Sequence, residues 1–233
     1  MKLASLWFLS TWRGYGHARR WLKAVVVTLA FVTVLSAPAA AEDMRLMVLG
    51  DSLTAGYNLP QDKAFPVQLE QALRARDYPV TVLNAGISGD TTAGGRARLD
   101  WVLAEEPDAA IVALGANDGL RGLDPEQTRE NLTAIVRRLK SQEIQVLIAG
   151  MLAPPNLGRE YGEAFNAVFP EVAERTAVLL YPFFLKGVAA DPTLNQADGL
   201  HPTADGVAVM VETILPKVEE LLHKVDPCGC SWD

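Results

Sequence analysis

Met44-Arg45-Leu46-Met47-Val48-Leu49-Gly50-Asp51-Ser52-Leu53 decides the reading of this chain: a short apolar run halts at a glycine, an acid and a serine. Residues 45–49 read as a strand buried on both faces, because a brief continuous apolar run closed by a turn signal suits a covered parallel sheet. Working outward, residues 80–83, 109–114, 144–149 and 178–181 repeat the pattern, each short and rich in Val, Ile and Leu. Between them lie helical stretches at 65–76, 92–105, 125–142 and 161–175, and residues 203–224 close the chain's last periodic segment. The third helix is the clearest. Asp124 stands as N-cap, Pro125 takes the first helical position, and Leu132, Ile135, Val136 and Leu139 line one face. The last helix carries Val207, Met210, Val211, Ile214, Leu215, Val218, Leu221 and Leu222 as its stripe, with Pro216 expected to bend it.

Strict alternation of strand and helix predicts the α/β class, a three-layer α/β/α sandwich on a parallel five-stranded sheet. No linker or repeat interrupts it, so residues 42–225 are read as one domain and residues 226–233 as a tail. Residues 1–41 read as a secretory signal: Lys2, Arg13, Arg19, Arg20 and Lys23 without an acid, an apolar run from 24 to 35, then Ala37-Pro38-Ala39-Ala40-Ala41. The run falls short of the roughly 20 residues that span a bilayer, so no stable membrane span is expected after processing. Arg19-Arg20 resembles a twin-arginine export signal. The expected location is the periplasm or the cell exterior.

Setting the leader aside, the chain's 21 basic residues become 16 while its 28 acidic ones stay, a net charge of −12. Such a surface repels phosphate backbones, which argues against nucleic-acid binding. Both cysteines, Cys228 and Cys230, lie in the tail, so the core carries no disulfide and the tail receives no catalytic role. Asn131-Leu132-Thr133 matches a glycosylation pattern but falls inside a predicted helix and is discarded.

In open parallel sheets, chemistry gathers at the carboxyl ends of the strands. Here those ends run into Gly50-Asp51-Ser52, into residues 84–90, and into Gly115-Ala116-Asn117-Asp118-Gly119. Beyond residue 41 only His201 and His223 are histidines, and His201 sits in Asp198-Gly199-Leu200-His201-Pro202. A serine, an aspartate and a histidine are the parts of a nucleophile, its orienting acid and its general base. The amide of Ser52, an amide at Gly89 and the side chain of Asn117 supply three donors for an oxyanion. Each element also has a plainer reading. Gly-Asp-Ser is a frequent turn, Asp198 can satisfy local amides before a helix, Asn117 can cap a loop and Gly89 can be an ordinary turn glycine. His223 suits a helix C-terminus, and Asp51, Asp90 and Asp118 read as turn carboxylates rather than a cation site.

Taken together, Gly50-Asp51-Ser52-Leu53, Gly89 within Ser88-Gly89-Asp90-Thr91, Gly115-Ala116-Asn117-Asp118 and Asp198-Gly199-Leu200-His201-Pro202 resemble the four sequence blocks of the SGNH, or GDSL, hydrolase family. The likeness runs from about Met44 to the final helix, and is nearest to periplasmic bacterial esterases of broad specificity that also act as thioesterases and lysophospholipases. It implies a flavodoxin-like sheet, Ser52 as nucleophile with Asp198 and His201, and the Ser52 amide, Gly89 and Asn117 as oxyanion hole. It further implies a mobile flap at residues 118–123 beside an acyl groove, with Leu120 and Leu123 touching the substrate; on spacing, an ordinary strand-to-helix connection fits as well. The expected activity is hydrolysis of aryl esters, acyl thioesters and lysophospholipids through an acyl-enzyme, with no metal or organic cofactor. Rival readings are a carbohydrate O-deacetylase, a dedicated acyl-CoA thioesterase and a noncatalytic lipid-binding protein.

Overall fold

A computed structural model describes residues 43–226. The secretory-signal reading of residues 1–41 and the cysteines at 228 and 230 lie outside the described residues. Five parallel strands form one sheet: β1 (Met44–Gly50), β2 (Val80–Gly86), β3 (Ala109–Ala113), β4 (Gln145–Ala149) and β5 (Leu179–Tyr181), in the order β2-β1-β3-β4-β5. The first described strand, β1, lies one place in from an edge, β2 takes that edge, and β3 crosses to the other side of β1. That reversal opens a crevice at the carboxyl ends of β1 and β3.

Burial follows position in the sheet. In β1 every residue but Arg45 is buried and in β3 all are, whereas the edge strands β2 and β5 are mostly half-buried. Among the described residues, eight α-helices connect and cover the sheet: α1 (Ser52–Ala55), α2 (Phe65–Arg74), α3 (Thr92–Ala97), α4 (Leu99–Val102), α5 (Ala116–Leu120), α6 (Pro125–Lys140), α7 (Arg159–Thr176) and α8 (Ala204–Val225). Helices α2 and α8 pack together, as do α3, α6 and α7, and these two groups flank the sheet. The helical stretch expected at 92–105 is broken. It forms α3, a turn at Arg98, α4 and a short 3₁₀ segment at Leu103–Glu105, because Arg98 has left helical geometry at φ −101° and ψ 3°. Two short helices, α1 and α5, stand where the sequence suggested turns.

The segment 118–123 is tied to its neighbours by hydrogen bonds at both ends. Asp118 is buried on α5 and accepts hydrogen bonds from the Thr92 amide (2.9 Å), the Thr92 hydroxyl (2.5 Å) and the Thr128 hydroxyl (3.3 Å). The Leu123 carbonyl accepts the Tyr161 hydroxyl at 2.9 Å. Leu120, at the end of α5, remains exposed, and Leu123 is half-buried. From below, α5 rests on α7: an added Cβ at Gly115 would meet Phe169 Cζ at 2.9 Å, and one at Gly119 would meet Phe165 Cζ at 3.0 Å. Both rings are buried and meet edge to face at 5.5 Å.

Replacing Phe165 by Ala is therefore expected to cost about 3–5 kcal/mol of unfolding free energy, the range for emptying a fully packed aromatic site. Urea unfolding against the parent chain measures it. A loss under about 1 kcal/mol would mean that α5 does not depend on this support.

Candidate active site

The end of β1 turns abruptly into α1, with Asp51 as its N-cap and Ser52 as its first helical residue. Asp51 Oδ1 accepts the Leu53 amide at 3.0 Å, which holds the turn and leaves Ser52 half-buried at the rim. The Ser52 hydroxyl lies 2.9 Å from His201 Nε2, and His201 Nδ1 lies 2.7 Å from Asp198 Oδ2. Asp198 and His201 belong to a four-residue turn closed by Asp198 itself, whose Oδ1 accepts the amides of Leu200 (2.9 Å) and His201 (3.0 Å). Those two amides, and then the imidazole, hold the Asp198 carboxyl down at about 2. An ionised carboxylate can only accept, so Nδ1 carries the ring proton and Nε2 is left to accept from the serine.

Two contacts not foreseen from the sequence support the histidine. The Tyr57 ring lies 4.5 Å from the imidazole centroid at 37°. Gln196 Nε2 donates to the carbonyls of Tyr57 and Pro202, both at 2.9 Å, and the Gln196 amide donates to the His201 carbonyl at 2.7 Å. Gln196 thus ties the segment after α1 to the histidine loop. Nothing in its local sequence marks this, since its partner Tyr57 is 139 residues away.

Gly89 and Asn117 stand beside the same crevice. Gly89 has φ +84°, a region that costs a side-chain-bearing residue steric energy, while space for a Cβ is open apart from Arg121 Nη2 at 3.8 Å. Backbone conformation, more than close packing, is what requires glycine there. Arg121 Nη2 donates to the Gly89 carbonyl at 2.8 Å. Asn117 Nδ2 donates to the Asp90 carbonyl at 2.9 Å and makes a longer contact of 3.4 Å with Asp51 Oδ2. The second amide hydrogen is the loosely held one. An arrangement of hydroxyl, neutral imidazole, carboxylate and adjacent N–H donors can carry out acyl transfer to and from a serine. Among the described residues, no group of three or more His, Cys, Asp or Glu is placed to hold a metal ion. Among the described residues the second histidine, His223, lies next to the Tyr78 ring instead.

Asp51 is fully buried, and burial pushes its carboxyl from the ordinary 3.8 up to about 6, against the pull of the Leu53 amide, His201 and Asn117. A raised acid binds a proton more tightly in the folded chain than in the unfolded one. Stability from this group is therefore lost as pH rises from about 4 to about 6, on the order of 3 kcal/mol in all. Replacing Asp51 by Asn removes the titration. The melting temperature of that variant, relative to the parent, should climb between pH 4 and 7 in scanning calorimetry. Parallel curves would show that Asp51 does not titrate there.

Comparison with known proteins agrees with this geometry. The profile of the GDSL-like lipase/acylhydrolase family matches residues 48–209. Esterase TesA of Pseudomonas aeruginosa is 40% identical over 192 residues, covering 82% of this chain and 94% of that protein. The Escherichia coli K12 protein named thioesterase 1/protease 1/lysophospholipase L1 is 38% identical over 194 residues, covering 83% of this chain and 91% of its own. A crystal structure of TesA superposes with a TM-score of 0.74 at 40% identity, covering 76% of this chain and 99% of that one. This chain therefore belongs to the GDSL-like lipase/acylhydrolase family.

Proposed function

We propose that this chain is an exported serine hydrolase of the periplasm or cell exterior that cleaves carboxylic acyl esters: aryl esters, acyl thioesters and lysophospholipids. The observation that carries the reading is the unbroken line from Asp198 Oδ2 through His201 to the Ser52 hydroxyl, 2.7 Å and 2.9 Å long. The names of the relatives support the substrate classes. The leader-like composition of residues 1–41 supports export.

In this mechanism Ser52 Oγ attacks the acyl carbonyl as its proton passes to His201 Nε2. Asp198 keeps the other ring nitrogen protonated and offsets the positive charge that forms on the imidazole. The developing oxyanion takes hydrogen bonds from the amides of Ser52 and Gly89 and from Asn117 Nδ2. For Asn117 this means exchanging its 3.4 Å contact with Asp51 for the substrate oxygen. His201 then protonates the departing alkoxide, a step a thiolate needs less because thiols are far stronger acids. Water, deprotonated by the same histidine, releases the acyl group and restores Ser52. No step calls on a metal or an organic cofactor. Leu120 and Leu123 flank the acyl chain beyond the carbonyl.

Replacing Ser52 by Ala should leave the fold intact and lower turnover of p-nitrophenyl butyrate by roughly 10⁴-fold or more. Labelling by a fluorophosphonate should vanish with it. Near-native turnover, or a labelled peptide mapping to Ser88, would overturn the choice of nucleophile. Along a series of p-nitrophenyl esters, kcat/KM should climb with acyl length, each buried methylene adding up to about 0.8 kcal/mol, before the groove is full. Replacing Leu120 and Leu123 together by Ala should flatten that climb and spare acetate. A parent profile that peaks at acetate and falls at once would favour a small-pocket deacetylase.

A further inference from the structure

The Ile87–Asp90 segment bears on two of the three oxyanion donors, and it is fastened from a side the mechanism does not use. Ile87 donates its amide to the Gly50 carbonyl at 3.1 Å, and Asp90 donates its amide back to the Ile87 carbonyl at 3.1 Å. The Asp90 carboxylate meets Arg98 Nε at 2.6 Å, both side chains being largely buried, 16% and 14% exposed. The same guanidinium donates through Nη2 to the Gly50 carbonyl at 3.0 Å. Arg98 therefore joins the last residue of the nucleophile's strand to the acid that follows Gly89. Asp90 in turn offers its main-chain carbonyl to Asn117 Nδ2. Helix α3 leaves room for this: an added Cβ at Gly94 would come within 2.2 Å of Asp90 Oδ1.

We infer that Arg98 and Asp90 are positioning residues for the oxyanion hole, holding the Gly89 amide and the Asn117 amide in register with Ser52 through the Gly50 carbonyl. The inference rests on the proposed roles of Ser52, Gly89 and Asn117. A largely buried ion pair gains little net stability, since desolvation of the two charges offsets most of their attraction. What it supplies is direction. The Arg98 side chain has two acceptors on two segments, and its planar fork fixes their separation more tightly than an ammonium could. Arg98 lies at the break in the helix expected over 92–105, in the turn between α3 and α4.

The test is a kinetic cycle on p-nitrophenyl butyrate with the purified enzyme, comparing the parent, Arg98→Gln, Asn117→Ala and the double variant, each first checked for folding by circular dichroism. Arg98→Gln should lower kcat roughly 10- to 100-fold with KM nearly unchanged, the penalty of a misplaced donor. In the Asn117→Ala background the same change should cost under about 3-fold, because donors that act as a unit are not additive. Arg98→Lys, which keeps the charge and loses the fork, should recover part of kcat. If Arg98→Gln does not fold, the cycle is run with Arg98→Lys, or with Asp90→Asn and Arg98→Gln together, which leave no lone buried charge. An unchanged kcat, a loss confined to KM, or equal losses in both Asn117 backgrounds would overturn the inference. Persistence of activity in Ser52→Ala would instead overturn the reading of the nucleophile on which it rests.

Discussion

The register of β1 between its two neighbours is the constraint on which the site depends. Gly50, its last residue, is level with Gly86 at the end of β2 and with Ala113 at the end of β3. Parallel strands end on the same side, so Ser52, Gly89 and Asn117 leave the sheet from one line, two to four residues beyond it. A one-residue slip in either pairing would exchange the side chains of β1 and β3 between their two covered faces, and the packing against the helices on each face would be lost. The core thus specifies the relative height of three groups without touching any of them. The histidine loop enters from far along the chain. It is registered by other means, through Gln196 and an isolated antiparallel bridge between Asn195 and Pro202.

Two aspartates show how environment divides one side-chain type between two tasks. Asp198 is on a surface turn, where two backbone amides and the imidazole favour its charged form. It remains ionised throughout the range in which a histidine can act as base, and so fixes the ring tautomer without titrating itself. Asp51 is enclosed at the N-cap of α1, and there burial outweighs the amide and side-chain bonds that favour its charge. Its second oxygen faces the Asn117 amide at a distance too long for a strong bond. The donor is thereby aimed while remaining free to turn to a substrate oxygen. An uncharged partner of the same shape could aim it too, but would lack the attraction between the Asp51 charge and His201.

Most of the fold was legible because it is carried by apolar runs. All five strands fall within three residues of their expected bounds, and β2 departs furthest: it continues through Asn84, Ala85 and Gly86, read from the sequence as a polar loop. As an edge strand it pairs with β1 through backbone groups, which any side chain can flank, so polarity did not mark its end. His201 stood out because only one other histidine follows residue 41, and the structure brings Ser52, His201 and Asp198 within hydrogen-bond distance as the spacing argument expects. Arg98, Gln196 and Tyr57 did not stand out. Each acts through a contact with a segment far away in sequence, and their residue types are common on any solvated surface. The helix over 92–105 misled for a related reason: Leu99, Val102 and Leu103 keep a helical spacing, while the ion pair of Arg98 lies in the turn that separates α3 from α4.

The surface around the site completes the argument for an acyl substrate. Among the described residues, Tyr57, Ile87, Trp101, Leu120, Leu152 and Leu200 are the large apolar side chains left exposed. All but Trp101 lie in segments that follow the carboxyl ends of the strands or in the turn between Asp198 and His201. Apolar surface exposed to water forgoes about 25 cal/mol for each Å² that could be covered. A chain with 28 acidic residues has ample polar side chains for solvation, so the gathering of apolar ones at the rim is not forced by composition. Exposed apolar side chains of this kind offer more to a hydrocarbon chain than to a small, heavily hydroxylated group. Apolar contacts are non-directional, which suits the proposed mechanism, where direction comes from Ser52, Gly89 and Asn117 at the carbonyl and the rest adds length and coverage.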